Sequence, residues 1–227
     1  VTTSYNCAVD AERSEGLADA QRAIGHQQCI VLPTDTVYGI AADAFSSQAV
    51  ATLLAAKGRS RDMPPPVLIP RAGTMDGLAS DIPSGARQLA EAFWPGALTL
   101  IFHAQPSLSW DLGETKGTVA LRMPDDALAI DLLAQTGPLA VSSANRSGQR
   151  AAQTAAEARA QLAESVQVYL DDGPRPAGPA ADGVPSTIID ATGERLTVVR
   201  PGALSIEELR AVVPEIDAPD DPAVTDG

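Results

Sequence analysis

Four short stretches of this 227-residue chain gather side chains that could do chemistry. In Lys57-Gly58-Arg59-Ser60-Arg61 three cations stand at alternate positions. Such a run could neutralise a polyphosphate, with a nucleotide the natural anion, or it could close a helix, its cations facing the negative end and Gly58 in the left-handed region. Ser142-Ser143-Ala144-Asn145-Arg146-Ser147-Gly148 offers hydroxyls, an amide and backbone N–H groups that could cradle phosphate or form an ordinary Ser/Asn turn. Pro33-Thr34-Asp35-Thr36-Val37-Tyr38-Gly39 reads as a β-turn or as a polar pocket wall at the end of a strand, where α/β sheets commonly seat ligands. Arg200-Pro201-Gly202, together with Ser186-Thr187, is a solvated strand end or a fourth piece of the same site. Neither a Walker loop nor a dinucleotide fingerprint is present, and His26 and His103 stand alone and receive no role.

Composition narrows what these groups could serve. A formal charge of -13 opposes nonspecific clamping of nucleic acid, since phosphate neutralisation by Lys and Arg supplies most of that affinity. Cys7 and Cys29 are too few for a disulfide framework or a four-cysteine metal site. The N-terminus lacks the charged region and apolar core of a signal peptide, and no apolar run approaches the roughly 20 residues of a membrane span. These features lead to the expectation of a cytoplasmic protein without membrane attachment, folded around one sizeable core.

Helices and strands alternate along the chain. Helical spacing over Ala11–Ile24 precedes a buried-strand run at Cys29–Leu32, and Ser47 is positioned to cap a helix through Ala56. The triple proline Pro64–Pro66 forbids a helix before a strand at Val67–Ile69. A helix over Ala86–Ala92 stops before Trp94-Pro95-Gly96, strands suit Ala97–His103, Thr118–Arg122 and Leu139–Ser142, and Asp125 or Asp126 opens a helix to Ala134. Thr154 with Glu157, and Ser205 with Glu208, have capping-box spacing; strands are expected at Val166–Leu170, Ser186–Asp190 and Leu196–Val199. Asp171–Pro185 reads as a long loop that is mobile or covers a site, and the acidic stretch after Pro214 as disordered. The class is α/β with a twisted sheet.

In order and spacing, PTDTVYG, KGR, WPGALT, VALRMP, SSANRSG, VPSTIID and VVRPG resemble the YrdC-like family of threonylcarbamoyl-AMP synthases over about Cys29 to Gly202. The resemblance implies a YrdC-like twisted mixed sheet flanked by helices with a concave basic cavity, spanning residues 8–213 ahead of an acidic tail at 214–227, in a short form without the extra C-terminal domain. It implies an enzyme that converts L-threonine, bicarbonate and ATP, the last accompanied by Mg2+ with no dedicated protein cage, to threonylcarbamoyl-AMP and pyrophosphate. The product would pass to separate tRNA-threonylcarbamoyl transferase proteins, with tRNA met only indirectly. Carried over by motif, Lys57, Arg59, Ser143 and Asn145 resemble the catalytic set. Lys57, Arg61, Thr118, the backbone at Ala144, and Arg200 align with nucleotide contacts, and Thr34, Arg122, Ser142 and Ser186 with positions that hold threonine. Three departures stand out: Leu68 where many members carry a His facing the threonine, a triple proline in place of the usual Pro-Leu, and Ala152 where some members use a serine. An RNA-binding module of the same fold, a carbamoyl-transfer module like that of hydrogenase maturation proteins, and a noncatalytic homologue are the alternatives.

Overall fold

A computed structural model of the chain describes residues 2–177 and 183–218. Residues 178–182 of the expected Asp171–Pro185 loop and 219–227 of the expected tail lie outside the described residues. The chain begins with β1 (Thr3–Asn6), α1 (Asp10–Gly25), β2 (Ile30–Leu32), β3 (Gly39–Asp43), α2 (Ser47–Lys57) and β4 (Val67–Leu68). It continues through α3 (Met75–Leu78), β5 (Ala79–Ser80), α4 (Ser84–Phe93), β6 (Leu98–Ala104), β7 (Thr118–Arg122) and α5 (Ala127–Thr136). The last part comprises β8 (Leu139–Ser143), α6 (Ala155–Leu162), β9 (Val168–Asp171), β10 (Thr187–Asp190), β11 (Thr197–Arg200) and α7 (Ile206–Val212).

The eleven strands among the described residues form one mixed sheet in the order β1-β9-β2-β3-β8-β4-β7-β6-β10-β11, with β5 paired to β6. Its centre is buried on both faces, so β2 reads Ile-Val-Leu without polar alternation. Ile30, Leu32, Ala41, Leu139 and Val141 face α1 and α5, whereas Val31, Ile40, Ala42 and Leu100 face α2, α4 and α6. The apolar interior is therefore divided by the sheet into two clusters rather than gathered in one core. Each fully buried Leu or Ile contributes about 1.5–3 kcal/mol, so a one-residue register slip would send every side chain to the wrong cluster.

Local chemistry sets most element ends. Ser46, rather than Ser47, caps α2: its extended backbone lets the hydroxyl accept from Ala49 N at 3.2 Å. Gly58 closes the same helix at φ 62°. Asp126 caps α5, and Ser205 with Glu208 forms a complete capping box on α7. At α6 only half of the expected box forms, because Thr154 accepts from Glu157 N while the Glu157 carboxylate reaches past it to Gln153 N at 2.7 Å.

Three strands were not apparent in the sequence: β1, β3 and the two-residue β5. Gly39–Asp43 is poor in strand formers, yet β3 exists because β2 and β8 pair with it on either side. Thr3–Asn6 adds to β9 in parallel, starting five residues before the expected boundary at 8. Beyond the expected boundary at 213, Ile216 is buried and Asp217 bridges to Thr197.

Candidate active site

The β2–β3 connection folds around one hydroxyl. Thr34 Oγ1 donates to Val37 O at 2.6 Å and accepts from the Thr36 and Val37 amides at 3.3 Å each, which makes 33–38 a tight turn. The same turn presents buried Thr34 and Thr36 to a concavity, so the two readings of this motif hold together. Tyr38 anchors it: its hydroxyl donates to Gly173 O at 2.6 Å and accepts from Asp172 N at 3.1 Å. Burial raises the Tyr38 phenol well above its ordinary pKa, which suits an anchor rather than an acid.

Facing this turn, Arg122 at the end of β7 is held by three acceptors. Its Nε donates to Gly96 O at 3.0 Å, Nη1 to Thr36 Oγ1 at 3.1 Å, and Nη2 to Asp35 Oδ1 at 2.6 Å. The Trp94-Pro95-Gly96 motif thus supplies a carbonyl that orients the arginine. Desolvation lowers the Arg122 pKa in spite of Asp35, so its charge is held at a cost that an additional anion would relieve. One N–H remains on each terminal nitrogen, because a guanidinium has five donors.

Two adjoining cavities open here, of about 250 and 260 Å³. The first is lined by Thr34, Thr36, Arg59, Arg122, Ser142, Ser143, Ser186 and Arg200, with Leu68, Val141 and Pro66 as an apolar patch. Leu68 thus stands on the cavity wall as bare hydrocarbon. The second is a largely apolar slot between Pro64–Pro66, Ile101, Leu112, Val119 and Ile188, with Thr118 on its rim. Arg59, Pro66, Thr99, Ser186 and Arg200 line both.

Thr99 was not singled out from the sequence. A threonine between Leu98 and Leu100 in a buried strand was the available signal, because a hydroxyl there must find a partner; Thr99 and Ser186 hydroxyls meet at 2.8 Å. Ser186 in turn accepts from Arg200 through its carbonyl, at 3.3 Å from Nε and 2.6 Å from Nη2, and through its hydroxyl at 3.1 Å. Gly202 makes that approach feasible: a Cβ there would lie 2.4 Å from Pro185 O and 2.5 Å from Thr187 N. Burial lowers the Arg200 pKa first, and the charges of Arg122 and Arg59 lower it further. Arg59 Nη1 donates to Ser142 Oγ at 3.0 Å. Among the described residues no carboxylate lines either cavity; with Arg122 paired to Asp35, it is Arg59 and Arg200 that leave an excess of positive charge where the cavities meet.

Four expected residues lie elsewhere. Arg61 turns away to exposed Asp111 at 2.7 Å, and its carbonyl accepts from Glu114 N, so it reaches neither cavity. The left-handed Gly58 redirects the chain after α2, so the three alternate cations do not share a face. Ala144 is fully buried, with its N–H given to Tyr38 O at 2.7 Å. The imagined cradle of free amides does not form: Asn145 N donates to Ser143 O, Arg146 N to Gln161 Oε1 and Ser147 N to Lys57 O. Lys57, 2% exposed, lies behind the wall with Asn145, and burial followed by repulsion from Arg59 brings its ammonium down to about 8. Ala152 is buried, and its carbonyl accepts from Tyr38 N at 2.9 Å. Among the described residues no group of three His, Cys, Asp or Glu side chains could hold a metal ion, and no helix is long and apolar enough to cross a membrane.

The fold and site define an α/β protein with a two-chambered, arginine-lined site suited to bringing two anionic small molecules together. The chain belongs to the Sua5/YciO/YrdC family, whose model, described as telomere recombination, matches residues 22–202. A Mycobacterium tuberculosis protein provisionally named threonylcarbamoyl-AMP synthase is 51% identical over 213 residues, covering 94% of this chain and 96% of that protein. The Bacillus subtilis threonylcarbamoyl-AMP synthase is 36% identical over 199 residues, which span 87% of this chain and 56% of that enzyme. The crystal structure of Pyrococcus abyssi Sua5 complexed with L-threonine superposes with a TM-score of 0.84 at 30% identity, over 96% of this chain and 62% of that one.

Proposed function

We propose that this chain is a threonylcarbamoyl-AMP synthase, condensing L-threonine, bicarbonate-derived CO2 and ATP for N6-threonylcarbamoyladenosine formation in tRNA. The observation that carries the reading is the pair of adjoining cavities that share Arg59, Thr99, Ser186 and Arg200. Membership in the family and the names of the relatives support it.

L-Threonine would occupy the first cavity. The two spare N–H groups of Arg122 would take its carboxylate, with Thr34, Ser142 and Ser186 hydroxyls nearby and the methyl group free to pack on Leu68. ATP would place its adenosine in the apolar slot past Thr118, with its phosphates at Arg59 and Arg200. Mg2+ would travel with the triphosphate as part of the substrate.

The threonine amine attacks CO2 and loses a proton to give a carbamate. A carbamate oxygen then attacks the α-phosphorus, the bond to the bridging oxygen breaks, and pyrophosphate leaves. Both reactants are anions, so the chief obstacle is bringing like charges together. Fixed guanidinium groups in a partly desolvated junction lower that barrier without a covalent nucleophile. Arg59 is assigned the principal catalytic cation, with the Ser143 hydroxyl orienting the carbamate or the α-phosphate. The product would be consumed by transferase proteins that act on tRNA.

Pyrophosphate release measured with ATP, L-threonine and bicarbonate, each omitted in turn, tests the reading. Release that requires all three, with threonylcarbamoyl-AMP detected by mass spectrometry, is expected. Release without threonine would identify another acceptor, and no release under any condition would overturn the synthase assignment.

A further inference from the structure

Where the two cavities adjoin, the hydroxyls of Thr99 and Ser186 lie 2.8 Å apart, and both residues line both cavities. Backbone pairing fixes the approach: β10 runs parallel to β6 with Ile188 opposite Thr99, and Thr187 N donates to Ala97 O at 3.0 Å. Thr99 is 1% exposed and Ser186 5%, and among the described residues Ser186 is the one hydrogen-bond partner of the Thr99 hydroxyl. Ser186 Oγ has a second partner in Arg200 Nη2 at 3.1 Å, while the Ser186 carbonyl accepts from Arg200 Nε and Nη2 and so holds the guanidinium in place.

Proton bookkeeping gives the Thr99–Ser186 contact a direction. A guanidinium only donates, so Arg200 fills one lone pair of Ser186 Oγ. Were Ser186 to give its own proton to Thr99, the Thr99 proton would be left buried without an acceptor, and an unpaired buried donor costs more than one neutral hydrogen bond returns. With Thr99 as the donor, both lone pairs of Ser186 Oγ are filled, and the Ser186 proton is left to point into the cavity.

We propose that Thr99 is a positioning residue which, together with Arg200, makes the Ser186 hydroxyl a donor aimed at an anionic oxygen of the amino-acid substrate, its carboxylate or the carbamate formed on it. Two donors into one oxygen polarise its O–H bond and strengthen what it gives to an anion. A ligand that brings an N–H to this point would meet a proton and no lone pair, so the arrangement selects an acceptor. The inference deepens the synthase reading and rests on it only for the choice of L-threonine as ligand.

Neutron diffraction from crystals of the deuterated, ligand-free protein reads the direction itself. The deuteron between the two hydroxyls should sit on Thr99 Oγ1 and point at Ser186 Oγ; one that sits on Ser186 Oγ and points at Thr99 would overturn the proposal. Calorimetric titration with L-threonine reads the consequence. Thr99→Val keeps the shape and removes the hydroxyl, so the dissociation constant should rise about threefold to tenfold, the worth of one hydrogen bond. Thr99→Ser restores the donor and should stay within about twofold of wild type. Because Thr99 acts through Ser186, adding Thr99→Val to Ser186→Ala should worsen binding by less than about twofold beyond Ser186→Ala alone. Wild-type affinity in Thr99→Val would overturn the proposal, as would losses that multiply in the double variant, which would mean that the two hydroxyls act independently. If Thr99→Val does not fold, the deuteron positions decide alone. Failure of the wild type to bind L-threonine would count against the synthase reading, while the deuteron positions in the free protein would still decide the role of Thr99.

Discussion

Arg122 satisfies two opposed demands, being buried enough to act strongly on a carboxylate and fixed enough not to collapse onto one of its own. Asp35, Thr36 and Gly96 O take one donor from each of its nitrogens and leave the remaining pair for a ligand. Arg122→Lys keeps the charge and loses the fork, so the KM for L-threonine should rise about tenfold to a hundredfold, the worth of one or two charged hydrogen bonds. Threonine saturation curves at fixed ATP check this, and an unchanged KM would remove Arg122 from carboxylate binding. Lys57 makes a separate prediction about stability. Its ordinary value of 10.5 is lowered to about 8 in the folded chain, so between those values the unfolded chain binds more protons. Below about 8 the ammonium is charged in both states and the full penalty of burying it stands. As pH rises from 8 toward 10.5 that penalty fades, and wild type should gain stability relative to Lys57→Met, as read from urea midpoints at pH values across this interval. A difference that does not change with pH would mean that the lysine is not desolvated.

At the level of elements, the site depends on strand ends meeting. The turn after β2, the ends of β7, β8 and β11 and the start of β10 each deliver one or two side chains, and backbone crossings fix their spacing. The tightest crossing is Gly202 over the Pro185–Thr187 backbone. Gly202→Ala should cost about 1–3 kcal/mol, as overpacking against rigid neighbours does, and should weaken binding through displaced Arg200. Thermal unfolding together with ATP titration checks both effects; a variant with wild-type Tm would show that β10 and β11 can separate freely. Except for the single-turn α3, the helices were legible because caps and apolar spacing are local: Asp126, Ser205 and Gly58 act where their type and position indicate. β3 was not legible, because an alanine-rich segment becomes a strand only between two partners.

For the molecule as a whole, charge is sorted by location. A chain of net charge -13 keeps Arg59 and Arg200 where the two cavities meet, with no lining carboxylate among the described residues, so it attracts small anions into a recess. An extended RNA would meet a chain of net charge -13. Filter binding with tRNA should accordingly show weak retention and little salt dependence, whereas a clamp would lose log affinity at about 0.7–0.9 per phosphate neutralised for each decade of salt. A steep slope would revive the RNA-binding reading and replace indirect contact with tRNA by direct contact.

By itself the sequence determined the α/β class, most element positions and the set of motifs from which the site is built, because periodicity, caps and turn chemistry act over a few residues. The family resemblance assigned Thr34, Arg122, Ser142 and Ser186 to threonine, Ser143 to the catalytic set and Arg200 to the nucleotide, and the structure places all six on the wall of the first cavity. Tertiary structure alone decided which way each one faces. Lys57, Arg59 and Arg61 look alike in sequence, yet one lies behind the wall, one lines both cavities and one pairs with Asp111 in solvent. Thr99 entered the site only through its meeting with Ser186, 87 positions along the chain. The physical reason is that a side chain's direction follows from its backbone dihedrals and from partners distant in sequence, and a left-handed glycine or a paired strand changes both without altering the motif.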